Sequence, residues 1–180
     1  MFKKLITPSE KPTALLWSQK EEFDARWKKR IEVMASYIDI PGIVADLGCG
    51  MMWLEPCLKE GNTYLPIDYI KRDERTFVVD LNKRPLPPLS ASVGFLSGVL
   101  EYISDLRGFL DYLQESKLDK IILSYCTLEN IPDLRMRKSL NWVNNESIYF
   151  LLSAFTRQYD LTAIEDVNQN TVMVFNRKAR

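Results

Sequence analysis

Apolar residues near the start of the chain recur every three or four positions, at Phe23, Trp27, Ile31, Met34 and Ile38. That period places them on one face of a helix, while Glu21, Glu22, Lys28 and Lys29 point elsewhere. Pro41-Gly42 stops the helix. From there short apolar runs alternate with amphipathic stretches. Residues 43–45, 64–67, 76–79, 93–96 and 120–124 read as buried strands. Residues 52–58, residues 105–113 and the stripe Ile148, Leu151, Leu152, Phe155 read as helices. Residues 161–164 and 172–175 flank Asn168-Gln169-Asn170 and suit a closing hairpin. The stretch from Cys126 to Asn144 is long for a connection, so it is either a functional loop or partly helical.

Strands alternating with helices predict an α/β protein with a doubly wound, mainly parallel seven-stranded sheet. Its end is an antiparallel C-terminal hairpin strand, and an N-terminal helix caps it. Residues 1–40 are expected to form the cap and residues 41–180 the core. At 180 residues the chain is long enough for one domain with a sheet covered on both faces.

Composition removes several classes of function. The net charge is zero, with 24 basic and 24 acidic residues, so no overall footprint for nucleic acid is visible. Arg135, Arg137 and Lys138 form a local basic group that reads as solvated surface. The chain has no histidine, which excludes a histidine base, a histidine triad and histidine-containing metal sites. Cys49, Cys57 and Cys126 are three cysteines with no Cys-x-x-Cys pair, so neither a disulfide framework nor a structural zinc is expected, and no metal. A reducing, cytoplasmic location fits this usage. The N-terminus meets charges and a proline too soon for a signal peptide, and no apolar run approaches the roughly 20 residues of a membrane span.

Candidate chemistry gathers at the ends of successive strands. Val44-Ala45-Asp46-Leu47-Gly48-Cys49-Gly50 is an apolar run ending in an acid and opening onto a Gly-X-Gly turn. Such a turn lets backbone approach a ligand where a parallel strand hands over to a helix. The next two strands also end in acids, Asp68 and Asp80. Asp68 follows the turn at about twenty residues, the interval at which a second-strand carboxylate reaches a ribose. Asp80-Leu81 would stand beside a base.

In this order the motifs resemble those of class I S-adenosylmethionine-dependent methyltransferases: Val44 to Gly50, Tyr64-Leu-Pro-Ile-Asp68, Val79-Asp80-Leu81, and Ser97-Gly-Val-Leu-Glu-Tyr-Ile103. The resemblance runs from about Pro41 to the C-terminus and implies a Rossmann-like methyltransferase core. It implies that Asp46, Gly48, Cys49 and Gly50 surround the methionine part of S-adenosylmethionine. Asp68, beside Tyr69, would hold the ribose; Asp80 and Leu81 would flank the adenine; Ser97 and Gly98 would line the floor under the sulfonium. Three positions depart from the pattern. Met52, followed by Trp53, stands where a third glycine is frequent, Ser92 replaces a strand-leading acid, and Tyr102 replaces a histidine.

Methyl transfer from a sulfonium needs alignment and exclusion of water more than it needs an acid, so lack of histidine is compatible with activity. Glu101, Tyr102 and Tyr125 lie at strand ends and are the candidates for contact with the acceptor. Trp17 and Trp142 are candidates for a lid. Cys49 is expected to be an inert small residue of the turn. The short loops leave no separate domain for recognising DNA or protein. The expected acceptor is therefore a small molecule or a glycan or lipid precursor, with no nucleic acid and no membrane insertion. The competing reading is a catalytically silent protein of the same fold serving in binding or regulation. A nicotinamide-dependent oxidoreductase is a weaker third, for want of the third glycine. The acceptor and the oligomeric state are not written in the sequence.

Overall fold

The computed structural model describes Trp17 and residues 23–179. In chain order its regular elements are α1 (Trp27–Ser36), β1 (Gly42–Leu47), β2 (Asn62–Asp68), β3 (Phe77–Val78), β4 (Val93–Ser97), α2 (Leu106–Glu115), β5 (Lys120–Tyr125), α3 (Leu134–Ser139), α4 (Ile148–Phe155), β6 (Tyr159–Val167) and β7 (Asn170–Arg177). The strands form one sheet in the order β3-β2-β1-β4-β5-β7-β6. β1 to β5 pair in parallel, with Val44 opposite both Tyr64 and Val93. β7 runs antiparallel to β5 and pairs with β6 as the expected hairpin. The sheet is therefore the mixed α/β sheet that the pattern predicts.

Both faces are covered, which is why β4 and β5 are nearly continuous apolar runs. Alternate side chains point opposite ways. Ile121, Leu123, Met173 and Phe175 join Phe109, Leu113, Leu151 and Phe155 of α2 and α4 in one core. Val44, Phe95, Ile122 and Val174 join Met34, Ala35 and Ile38, from α1 and the residues after it, in the other. The second face has no crossover helices of its own. α1 and the turn carrying Leu54 and Cys57 cover it.

Several expected elements come out differently. Residues 52–58 do not form a helix: Met52 has φ +55°, Pro56 interrupts the run, and only a 3-10 turn at Glu55–Cys57 remains. The expected strand at 76–79 shrinks to Phe77–Val78, both exposed at the sheet edge. α1 begins at Trp27, so Phe23 lies ahead of it rather than on it. Glu21 and Glu22 fall outside the described residues. The long connection after β5 is partly helical through α3.

Strand order reverses between β1 and β4, since β1 leads to β2 on one side and the chain returns to β4 on the other. That is where an open parallel sheet splits its loops and leaves a crevice at the carboxyl ends of its strands.

Candidate functional site

A cavity of about 510 Å³ opens at this switch point. The ends of β1, β2 and β4 form its floor. All ten residues singled out for a cofactor line it: Asp46, Gly48, Cys49, Gly50, Asp68, Tyr69, Asp80, Leu81, Ser97 and Gly98. The glycine turn is drawn against β2, where the Gly48 and Cys49 amides both donate to the Ile67 carbonyl at 2.7 and 3.0 Å. Gly50 has φ +49°, and a Cβ there would stand 2.6 Å from the Phe23 ring. Gly98 has φ +67°, and its Cβ would stand 2.7 Å from an Arg30 guanidinium nitrogen. Both positions demand glycine, for backbone geometry and for close approach alike.

Three charged groups dominate the floor. Asp46 is buried, and its Oδ2 accepts the Tyr64 hydroxyl at 2.8 Å. Burial pushes its pKa up to about 7, the Tyr64 hydrogen bond works against that shift, and the Asp68 charge adds to it. Asp68 is 3% exposed and accepts from the Gly50 amide at 2.9 Å, the Ile70 amide at 3.1 Å and the Arg72 guanidinium at 3.1 and 3.4 Å. Arg30, only 6% exposed, donates from Nε to Ser97 Oγ at 3.0 Å. Among the described residues it has no carboxylate within ion-pair distance, although Glu101 stands near enough to favour its charge. Arg30 is thus a buried cation facing the cavity without a salt-bridge partner.

Glu101 is 2% exposed and also lines the cavity. Its Oε1 accepts the Cys126 amide at 2.8 Å, while Oε2 is buried with no hydrogen-bond partner. Burial raises its pKa. Tyr102 lines the cavity beside it and accepts the Trp142 indole N–H at 3.2 Å. Tyr125 is not brought to the cavity. It is buried in the core, donating to Asn144 Oδ1 at 2.5 Å and accepting from the Glu146 amide at 3.0 Å, so its hydroxyl is fully used there. Burial of Cys49 raises its thiol pKa, which keeps it protonated and inert.

Aromatic rings make the roof. All four tryptophans of the chain, Trp17, Trp27, Trp53 and Trp142, line the cavity together with Phe23 and Tyr102. Trp17 packs edge-on against Trp27 at 5.3 Å and against Tyr102 at 5.7 Å, and Phe23 packs against Trp53 at 6.2 Å. The two proposed lid residues, Trp17 and Trp142, both stand at the cavity, and Trp53 and Met51 reach it where Met52 does not. Trp142 is held by a buried hub. Arg137, 0% exposed, donates to the carbonyls of Cys126 and Thr127 at 2.8 and 3.0 Å and to Asn145 Oδ1 at 2.7 Å, and it lies over the Trp142 ring at 4.8 Å. Arg137 is therefore not part of a solvated basic surface, as its neighbours in sequence suggest, because its guanidinium replaces the water that those loop carbonyls would need.

Sequence reading missed Arg30 and Arg72. Arg30 carried a legible signal: it lies three residues after Trp27 and four before Met34, so it is a cation on the apolar face of α1. Arg72 had none, since the pairing with Asp68 depends on a turn rather than a helix.

No family profile matches the chain, and no curated protein matches it in sequence. Solved structures do. The 1,6-didemethyltoxoflavin-N1-methyltransferase of Burkholderia thailandensis, solved with 1,6-didemethyltoxoflavin and S-adenosylhomocysteine, is similar over 99% of this chain and 94% of that one, with a TM-score of 0.68 at 11% identity. A putative methyltransferase of Haloferax volcanii in complex with the activator Trm112 is similar over 93% and 98%, with a TM-score of 0.70 at 12% identity. An O-methyltransferase of neocarzinostatin biosynthesis, solved with S-adenosylmethionine and 2-hydroxy-5-methyl naphthoic acid, is similar over 90% and 58%, with a TM-score of 0.62 at 16% identity. By its strand order, its switch-point cavity and these likenesses, the chain has the fold of the class I S-adenosylmethionine-dependent methyltransferases.

Proposed function

We propose that this protein is an S-adenosylmethionine-dependent methyltransferase acting on a small molecule or a glycan or lipid precursor. The observation that carries the reading is the donor set around the glycine turn. An unpaired buried guanidinium (Arg30), a buried carboxylate (Asp46) and a second carboxylate at the end of β2 (Asp68) stand on one cavity floor. These groups suit the carboxylate, the ammonium and the ribose diol of that cofactor in turn. Tyr69 would flank the ribose, Asp80 and Leu81 the adenine, and Ser97, Gly98, Gly48 and Cys49 the sulfur end. When bound, the cofactor supplies an electrophilic methyl group on a sulfonium.

The chain's own contribution is alignment and dryness. The aromatic roof excludes water from the reacting atoms, and the Tyr102–Trp142 wall fixes where an acceptor lies. Glu101 Oε2 is the one buried carboxylate oxygen of the cavity with no hydrogen-bond partner, and it is placed to take a proton from an acceptor O–H or N–H. Two of the similar folds are crystallised with small organic molecules, which supports an acceptor of that size. The alternative, a silent binding or regulatory protein, draws on the Arg72 guanidinium already occupying Asp68.

Incubation with methyl-labelled S-adenosylmethionine and a cell extract split into small-molecule, lipid and macromolecular fractions tests this. Label is expected in the small-molecule or lipid fraction. Label confined to macromolecules would overturn the acceptor class. Tight cofactor binding with no transfer to any fraction would favour the silent reading.

A further inference from the structure

We propose that Arg72 competes for the ribose site: in the free protein its guanidinium holds the Asp68 carboxylate, and a nucleoside cofactor binds by taking that carboxylate from it. This rests on the reading of Asp68 as the ribose acceptor. A carboxylate offers about four lone-pair positions, and four donors already fill those of Asp68. They are the Gly50 amide, the Ile70 amide, and Nε and one terminal nitrogen of Arg72. A ribose cis-diol that donates both hydroxyls needs two of those positions. The two amides belong to the glycine turn and to the residues just after β2, and they cannot leave without unmaking the strand ends. Arg72 is a side chain and can leave.

Its surroundings give it two resting places. The pair is secluded, at 11% exposure for Arg72 and 3% for Asp68, so water barely weakens it. Thr76 Oγ1 accepts the Arg72 and Asp73 amides at 3.1 and 3.0 Å, which fixes the backbone of the turn while the side chain is free to swing. On the outer side the guanidinium lies 5.3 Å from the Phe23 ring, the same ring that covers Gly50. A guanidinium displaced from Asp68 keeps this cation–π contact and moves toward solvent past Phe23. Binding of the ribose is thereby coupled to the aromatic roof. Only a ligand presenting two well-placed hydroxyls repays the lost charge-assisted pair, so Arg72 raises the threshold for nucleosides lacking one of them.

The test combines calorimetry with S-adenosylhomocysteine on wild type, Arg72→Met and Asp68→Asn with an NMR readout of arginine Nε–Hε resonances in the ligand-free protein. Arg72→Met is expected to bind about tenfold more tightly than wild type, the scale of one charge-assisted contact removed from the free state. Asp68→Asn is expected to bind more weakly. One Nε–Hε resonance, slowly exchanging in wild type, is expected to vanish in both variants and to shift when S-adenosylhomocysteine is added. Equal or weaker binding by Arg72→Met, with wild type binding normally, would overturn the competition alone. So would a free protein with no Nε–Hε resonance that depends on Asp68. Failure of wild type and Arg72→Met alike to bind would instead overturn the cofactor reading on which the competition stands.

Discussion

Asp46 and Arg30 show how burial turns ordinary side chains into parts of a site. The Asp46 carboxyl, with its pKa pushed up to about 7 by burial, binds a proton in the folded chain that an exposed aspartate gives up near 3.8. The folded state is therefore penalised progressively as pH rises from about 4 through 7. Asp46→Asn keeps an acceptor for the Tyr64 hydroxyl, so it is expected to be more stable than wild type at pH 8, by on the order of 2 kcal/mol. Denaturant titrations at pH 8 and pH 4 check this, and the difference should vanish at the lower value. The same carboxylate meets a cationic ammonium only when ionised, so affinity for S-adenosylhomocysteine is expected to fall as pH drops below about 7; a flat profile from pH 6 to pH 8 would count against that role. Arg30→Met is expected to weaken binding by about 1.5–3 kcal/mol, the worth of a hydrogen bond to a charged group, with partial recovery in Arg30→Lys. The acids were legible because strand ends are fixed by pattern. The donors that saturate Asp68 were not, since they depend on how two loops meet in space.

Among the elements, α2 and the connection after β5 carry most of what the sequence hid. The Asp105 side chain caps α2 by accepting the Gly108 amide at 3.0 Å. A Cβ on residue 108 would stand 2.2 Å from Asp105 Oδ2. Gly108→Ala, which in a helix interior ordinarily stabilises by about 1 kcal/mol, is thus expected to give no gain in melting temperature. The 126–144 connection looked polar enough to be loop, yet it wraps a fully buried arginine. Arg137→Met strips the loop carbonyls of their donor and is expected to destabilise the protein by about 3–5 kcal/mol. Its effect on the wall should appear as a red-shifted, more solvent-exposed tryptophan emission from Trp142; unchanged emission and stability would show that the hub does not hold the wall. The expected helix at 52–58 failed for a local reason. Met52 takes the left-handed backbone that the frequent third glycine would supply, so the turn survives the substitution while the helix after it does not.

At the scale of the whole molecule, alternation of apolar runs and amphipathic stretches was enough to anticipate the mixed sheet, its antiparallel end and the crevice at its switch point. Those features follow from period and connection rules that any such sequence must obey. What a single sequence could not convey is the convergence of four tryptophans on one cavity, because Trp17, Trp27, Trp53 and Trp142 come from separate segments. Nor could it show that one face of the sheet relies on α1 for cover, which ties the stability of the core to a helix bearing the Arg30 of the site. Ligand at the floor should therefore stabilise the whole fold, by an amount that grows with its concentration over its dissociation constant. The most direct test is a calorimetric titration of the unmodified protein at pH 8 with S-adenosylhomocysteine, with NADH as the comparison. One equivalent of S-adenosylhomocysteine binding in the micromolar range, with no heat from NADH, is the expected result. No binding of S-adenosylhomocysteine at millimolar concentration would contradict it.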